Sequence, residues 1–184
     1  MLRTTSETPA AIRLAAGDAD ALEYFLEEHW DSIARFAERA LHDVDAARDI
    51  SQETFIRLWN ARGDFAHTPE LVRPFLYRTA RNLVLDEVRK RSVRARAAAL
   101  GLGVERHDFG PAEQFDADTV GSAIAAAIDL LTPRRRDAFV LAYLHDLSYK
   151  EVAKIMGVAP ATVKNQIAAA LAQLRVALAP QWRE

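Results

Sequence analysis

The chain has 184 residues, half of them hydrophobic, with seven glycines, seven prolines and a formal net charge of −2. That length holds one ordinary domain or two small ones, and the scarcity of β-branched runs points to an all-helical protein. The absence of cysteine excludes disulfides, thiolate chemistry and cysteine-bound zinc, and no apolar run approaches the roughly 20 residues needed to cross a bilayer.

The first ten residues, MLRTTSETPA, lack the charged-then-apolar pattern of a secretory signal, so the expected compartment is the cytoplasm. A short helix is expected over Ala10 to Ala16, ended by Gly17, and Asp18 or Asp20 then caps the first long helix. In it Leu22, Phe25, Leu26, Ile33, Phe36, Ala37, Ala40 and Leu41 hold helical phase as a core face, with Trp30 at the edge. His29 and His42 flank that face without companions at ligand spacing, so they read as surface or boundary histidines and no metal site is expected.

A second helix begins near Asp45. Ala47, Ile50, Thr54, Phe55 and Leu58 turn inward, while Asp49, Gln52, Glu53 and Ile56 share another face. Periodicity alone leaves that face open between solvation and docking of a basic helical partner. Trp59 and Phe65 bracket a turn at Gly63 and Asp64, and the loop runs on to about Arg73.

The third helix carries an expected buried stripe of Leu76, Ala80, Leu83, Val84 and Val88. Tyr77, Arg78, Arg81, Asn82 and Arg89 lie to one side, and Lys90, Arg91, Arg94 and Arg96 continue beyond. Cations with an aromatic and an amide on one helix suit single-stranded nucleic acid, whose bases stack or hydrogen-bond while its phosphates are neutralised. The same arginines could instead cover an acidic neighbour.

From Ala97 to Asp118 the periodicity fails, and paired glycines, a Gly-Pro step and scattered acids give linker composition. Beyond it Val120, Ile124, Ile128 and Leu131 mark an alanine-rich helix. Thr132 and Pro133 then start a helix expected to bury Phe139, Val140, Tyr143 and Leu144. Ser148 and Glu151 have capping-box spacing, Val152 and Ile155 form a short stripe, and Gly157 supplies a left-handed stop before Pro160 opens the last helix. There Val163, Ile167, Ala170, Leu171, Leu174 and Leu178 recur at spacings of three and four, leaving Ala161, Thr162, Lys164, Asn165 and Ala168 outward. This is a helix-turn-helix pattern whose outward face suits a DNA major groove, although a helical hairpin that merely packs would share much of it. Three parts follow: 1–96, a linker at 97–118, and 119–184.

Charge is segregated along these parts. Residues 1–72 carry seven basic against fourteen acidic side chains, 73–96 eight against two, 97–131 one against six, and 132–178 seven against three. Two basic islands on a near-neutral chain suit a polyanion met at two places. No phosphate-binding glycine loop appears, and no nucleophile has a base and an orienting group near it in sequence, so neither a cofactor nor a small-molecule substrate is expected.

The ordered segments D-I-S-Q-E-T-F-I-R-L-W from Asp49, F-L-Y-R-T-A-R-N-L-V-L-D-E-V-R-K from Phe75 and L-T-P-R-R-R-D-A-F-V-L-A-Y from Leu131 resemble the bacterial RNA polymerase sigma factors of the extracytoplasmic function group in the sigma-70 family. The resemblance spans about Asp18 to Leu178 apart from the linker. It implies two small helical domains, core RNA polymerase and promoter DNA as partners, an anti-sigma factor as regulator, and no catalysis. It also implies that Asp49, Gln52, Glu53 and Ile56 dock on polymerase, and that Asn82, with Phe65 and the loop after Gly63, holds a flipped base of the minus-ten element. Tyr77 would join that site, with Arg78, Arg81, Arg89, Lys90 and Arg91 on the backbone nearby. Thr162, Lys164 and Asn165 would read the minus-thirty-five element, flanked by Arg134, Arg135, Arg136 and Lys150 on phosphates.

The chain departs from the family pattern at Phe75, where tryptophan is common, at Ala46 and Arg48, where acids are frequent, and at Gln166 and Ala169, where arginine is frequent. Ala159 lacks the hydroxyl that often caps the last helix. A helix-turn-helix repressor or activator with a sensing N-terminal bundle is the alternative, and acid/base chemistry in that bundle is a remote third.

Overall fold

A computed structural model of the chain describes residues 4–99 and 119–179, and among these residues every regular element is a helix. The chain divides into two compact units, residues 1–108 and 109–184. In the first, α1 (Thr4–Ala15), α2 (Ala19–Leu41), α3 (Val44–Asn60) and α4 (Val72–Ala99) are joined by tight corners, with two 3₁₀ turns, Arg62–Phe65 and Pro69–Leu71, between α3 and α4.

Each corner has a local cause. Gly17 is left-handed at φ +88, and Asp18 then accepts the Asp20 amide at 3.0 Å to cap α2. His42, left-handed at φ 51, stops α2, and Asp43 caps α3 by accepting the Ala46 amide at 2.9 Å. The core lies where α2, α3 and α4 meet: Phe25, Ile33, Phe36, Leu41, Ile50, Phe55, Leu58, Leu76 and Val84 are all buried. Ala47 and Thr54 join them as the spacing requires, Thr54 returning its hydroxyl to the Ile50 carbonyl at 2.7 Å.

Several expectations for this unit need correction. The first helix starts at Thr4 and not near Ala10, because Ala10, Ala11 and Leu14 bury its inner face against the rest of the bundle. His29 is buried, stacked on Phe25 at 6.0 Å with its Nε2 3.4 Å from Glu7. Val88 is exposed and Leu83 only half-buried, since α4 outruns the helices that cover its first four turns. Ala97–Ala99 continue α4, as alanine favours; the rest of the expected linker lies outside the described residues.

The second unit comprises α5 (Thr119–Asp129), α6 (Pro133–Phe139), α7 (Tyr149–Met156) and α8 (Pro160–Leu178), with α8 packed against the other three. Ser148 and Glu151 form the reciprocal capping box, and Gly157 is left-handed at φ 66. Val163, Ile167, Ala170 and Leu174 are buried, while Leu171 is exposed. Directly after α6 the chain makes one π turn, Val140–Leu144, in which the His145 amide reaches the Val140 carbonyl at 3.2 Å. The extra residue in the turn rotates the helix face. Leu141 is therefore buried and Tyr143 and Leu144, expected inside, are about half exposed at 52% and 48%.

Candidate nucleic-acid and partner interfaces

The outer side of α2 and α3 holds an apolar groove. Leu22, Leu26 and Trp30 form one wall and Phe55, Ile56 and Trp59 the other, with Gln52 at its margin. Trp30 stacks on Phe55 at 5.8 Å, and the Arg62 guanidinium covers the Trp59 ring at 4.4 Å, so both indoles are held as walls. Leu22 and Leu26, expected in the core, are only half-buried and line this groove. Asp49, Gln52 and Ile56 are exposed, and Glu53 accepts from Arg57 at 2.7 Å. A 46%-exposed isoleucine beside an apolar trough is not what a solvated face needs. Sequence periodicity missed the trough because its walls belong to two helices and read as the margins of two core stripes.

On α4, Arg78, Asn82, Arg89 and Lys90 are exposed and Arg81 is half-buried. Arg78, Asn82 and Arg89 stand four and seven residues apart, close to one line along the helix. Arg78 lies over the Phe75 ring at 5.9 Å, and Phe75 meets Phe65 edge-on at 5.3 Å, which fixes the loop end to the helix. Arg89 pairs with Asp86 at 3.2 Å, both side chains more than half exposed, a contact weak enough to exchange for a phosphate.

Three residues expected on this surface are elsewhere. Tyr77 is 1% exposed, edge-on to Phe36, with its phenol pushed up to about 12 by burial. One residue is a 100° step around a helix, so the neighbour of an outward Arg78 turns into the core. Phe65 is 4% exposed and is an anchor under the loop, not an open stacking platform. Arg91 donates to Asp43 at 2.7 Å, to Glu87 at 3.1 Å and to the Leu41 carbonyl at 3.2 Å, joining α4 to the corner between α2 and α3. Asp43 is correspondingly held below the usual carboxylate range, first by the Ala46 amide and then by Arg91.

In the second unit Thr162, Lys164 and Asn165 are exposed on the first turns of α8, with Ala161 and Ala168 beside them. Gln166 and Ala169 are half-buried. The helix starts at Ala159 without a side-chain cap, so its N-terminal partial positive charge is available to an anion. Arg134 and Lys150 are exposed. Arg135 and Arg136 are not available in the same way. Arg135 donates to Gln173 at 3.1 Å while Gln173 donates to the Leu130 carbonyl at 3.0 Å, and Arg136 donates to the carbonyls of Asp129 and Leu131. They satisfy the end of α5 and tie it to α8. Among the described residues no group of three or more His, Asp or Glu side chains could hold a metal ion.

Comparison with known proteins gives a consistent result. Residues 25–94 match the model for sigma-70 region 2, and residues 122–174 match that for sigma-70 region 4. The chain is 34% identical to the ECF RNA polymerase sigma factor SigE of Mycolicibacterium smegmatis over 96% of its own length and 70% of that protein. It is 30% identical to the ECF RNA polymerase sigma factor SigL of Mycobacterium tuberculosis over 89% of its length and 92% of that protein. Among solved structures, CnrH in complex with the cytosolic domain of CnrY shares the fold at a TM-score of 0.70 and 24% identity, covering 95% of this chain and 97% of that one. The sigma factor RpoE in complex with the anti-sigma factor NepR, from Bartonella quintana, does so at 0.66 and 24%, covering 88% and 98%.

Proposed function

The chain belongs to the extracytoplasmic function group of the sigma-70 family of RNA polymerase sigma factors, and from that premise we propose how its surfaces share the work. As a sigma factor it binds core RNA polymerase and directs promoter recognition and strand opening. The observation that carries the assignment is that one helical unit bears an apolar, acid-flanked groove on α2 and α3 and a separate cationic and amide row on α4.

The groove and its rim of Asp49, Gln52, Glu53 and Ile56 would receive core polymerase. Apolar walls supply affinity, while the carboxylates select a basic helix and steer its approach. Asn82 would hold an extruded base of the minus-ten element, since one side-chain amide can both donate to and accept from a base edge. Arg78, Arg81, Arg89 and Lys90 would track the same strand. Capture of that base offsets the few kcal/mol of lost stacking and pairing, so opening needs no nucleophile, no cofactor and no catalytic residue of this chain. Thr162, Lys164 and Asn165 would read the minus-thirty-five element, with Arg134 and Lys150 on phosphate.

Membership of the group also supports an anti-sigma factor as a further partner, competing with polymerase. No helix among the described residues is long and apolar enough to cross a membrane, and work with core polymerase would keep the protein in the cytoplasm.

The test is reconstitution with core polymerase and promoter DNA. Ile56→Glu should weaken core binding by about fiftyfold or more, as expected for a charge placed in an apolar contact, with the free protein's thermal midpoint unchanged. An unchanged core affinity would remove the groove from the interface. Transcription should require both components, and tight operator binding by the chain alone would favour the repressor reading. Asn82→Ala should impair opening more than closed-complex formation; equal losses would sink base capture.

A further inference from the structure

The match to sigma-70 region 2 begins at residue 25, and α1 lies before it. This helix packs on α2 and against both 3₁₀ turns of the loop at 61–71. That loop has few holds of its own: Phe65 on Phe75, the Thr68 hydroxyl donating to the Asp64 carbonyl at 3.0 Å, and Arg62 donating to the Trp59 carbonyl at 2.8 Å. Phe65 is its one buried side chain, and its backbone bonds are short-range: Asp64 to Ala61 at 3.0 Å, Ala66 to Gly63 and Thr68 to Phe65 at 3.3 Å, Leu71 to Thr68 at 3.0 Å. Such i to i+3 bonds have poor geometry and do not propagate.

Nor is α1 stable by itself. It has twelve residues, below the length at which isolated helices persist, and Pro9 within it removes a donor and crowds the carbonyl of Thr5. It is held by docking. Ala10, Ala11 and Leu14 are buried, Glu7 faces the buried His29 at 3.4 Å, and Arg13 clasps Asp18 at 2.6 Å where the chain turns into α2. A Cβ at Gly17 would stand 3.8 Å from the Arg62 Nε, so this corner lies directly beside the loop's first residues. The two elements share one contact surface.

We propose that α1 is a positioning element for strand opening: docked on the 61–71 loop, it holds that loop in the conformation that closes, with Asn82, around the extruded base. The inference rests on the base-capture role assigned above. The physical link is the chain of contacts from the loop through Phe65 to Phe75 and Arg78, one turn before Asn82.

The experiment uses the full chain with Leu14→Ala, and Leu14→Met as the volume-conserving control. Native-state hydrogen exchange reads the amides of Asp64, Ala66, Thr68 and Leu71 against those of α3. Reconstituted holoenzyme then reads closed-complex affinity and the rate of strand opening. Leu14→Ala should speed exchange in the loop by at least about tenfold while α3 amides stay protected. It should slow opening by about tenfold or more with closed-complex affinity retained, because misplacing a capture site by an ångström is costly. Leu14→Met should restore both.

A general loss of stability would instead raise exchange in α3 equally, and that result overturns the proposal. Should Leu14→Ala melt the whole unit, Ala11→Gly, which weakens α1 without a large cavity, carries the same expectations. Unchanged loop exchange overturns the brace. A loosened loop with normal opening also overturns it if Asn82→Ala slows opening in the same assay. If Asn82→Ala leaves opening unaffected, base capture itself has failed, and the proposal falls with it.

Discussion

The cations of α4 and the arginines that begin α6 are comparable runs on amphipathic helices, yet they meet their helix dipoles differently. Arg89, Lys90 and Arg91 lie more than two turns before the end of α4, beyond the reach of its terminal partial charge. Arg134, Arg135 and Arg136 occupy the first turn of α6, where the unbonded amides repel them. The second run is acceptable because two of its three members turn back, Arg136 onto the carbonyls that end α5 and Arg135 onto Gln173. In α4 Arg91 is drawn into a comparable network with carboxylates and a carbonyl. A run of basic residues thus first meets the needs of the helix ends near it, and only the remainder is offered to a polyanion.

That difference predicts unequal dependence on the two surfaces. Reversing Arg78, Arg89 and Lys90 together to Glu should weaken the holoenzyme–promoter complex on the order of a hundredfold at moderate salt, and lower its salt slope. Reversing Arg134, the member of the α6 run left exposed, should cost no more than about tenfold. Titrations of both variants at several salt concentrations provide the measurement. Equal losses, or a larger loss in the second unit, would break the comparison.

The second prediction separates stability from binding within one run. Arg136→Ala leaves two helix-end carbonyls without their donor and should cost about 1–3 kcal/mol, read as a lower denaturant midpoint. Arg134→Ala, an exposed change, should stay within about 0.5 kcal/mol while weakening promoter binding. Reversed outcomes would mean that Arg136, not Arg134, is the residue left over for phosphate.

Much of this was readable before any coordinates. The Ser148–Glu151 box, the stop at Gly157, the inward set Ala47, Ile50, Thr54, Phe55 and Leu58, and the outward Thr162, Lys164 and Asn165 are local or strictly periodic features. Tyr77 and Phe65 mislead because an aromatic side chain suits a core as well as a stacked base; the helix phase set by Leu76 and Ala80 decides for Tyr77, whereas Phe65 lies in a 3₁₀ turn that has no such phase. Tyr143 and Leu144 misled because periodicity assumes 3.6 residues per turn and cannot see a π turn. Leu22 and Leu26 were legible as apolar but not as groove walls, since whether an apolar edge is covered depends on a neighbouring helix. Arg91, Arg135 and Arg136 carry no sequence mark that distinguishes a junction cation from a surface one.

A smaller effect sharpens the contrast between Arg91 and Arg89. The Asp43–Arg91 pair is partly shielded, with side chains 32% and 17% exposed, so a double-mutant cycle of Asp43→Asn and Arg91→Met should give about 1–2 kcal/mol of coupling after allowing for solvent screening. The same cycle on Asp86 and Arg89, both well exposed, should give well under about 1 kcal/mol. Equal couplings would place the two arginines in one class.

The smallest expected signal is a pH dependence, and its sign follows from Asp43. The folded state favours the ionised carboxylate, through the Ala46 amide first and the Arg91 guanidinium after it. The unfolded chain therefore binds the Asp43 proton at a higher pH than the folded one, and stability rises with pH across that interval. The contribution is complete above the ordinary carboxylate range and is lost as pH falls through the depressed folded value. Denaturant midpoints of the wild type should thus decline toward acid pH more steeply than those of Asp43→Asn, the two curves diverging as pH rises from the folded value into the ordinary aspartate range and then running parallel. If Asp43→Asn left the slope unchanged, Arg91 would be holding α4 to the α2–α3 corner through Glu87 and the Leu41 carbonyl alone.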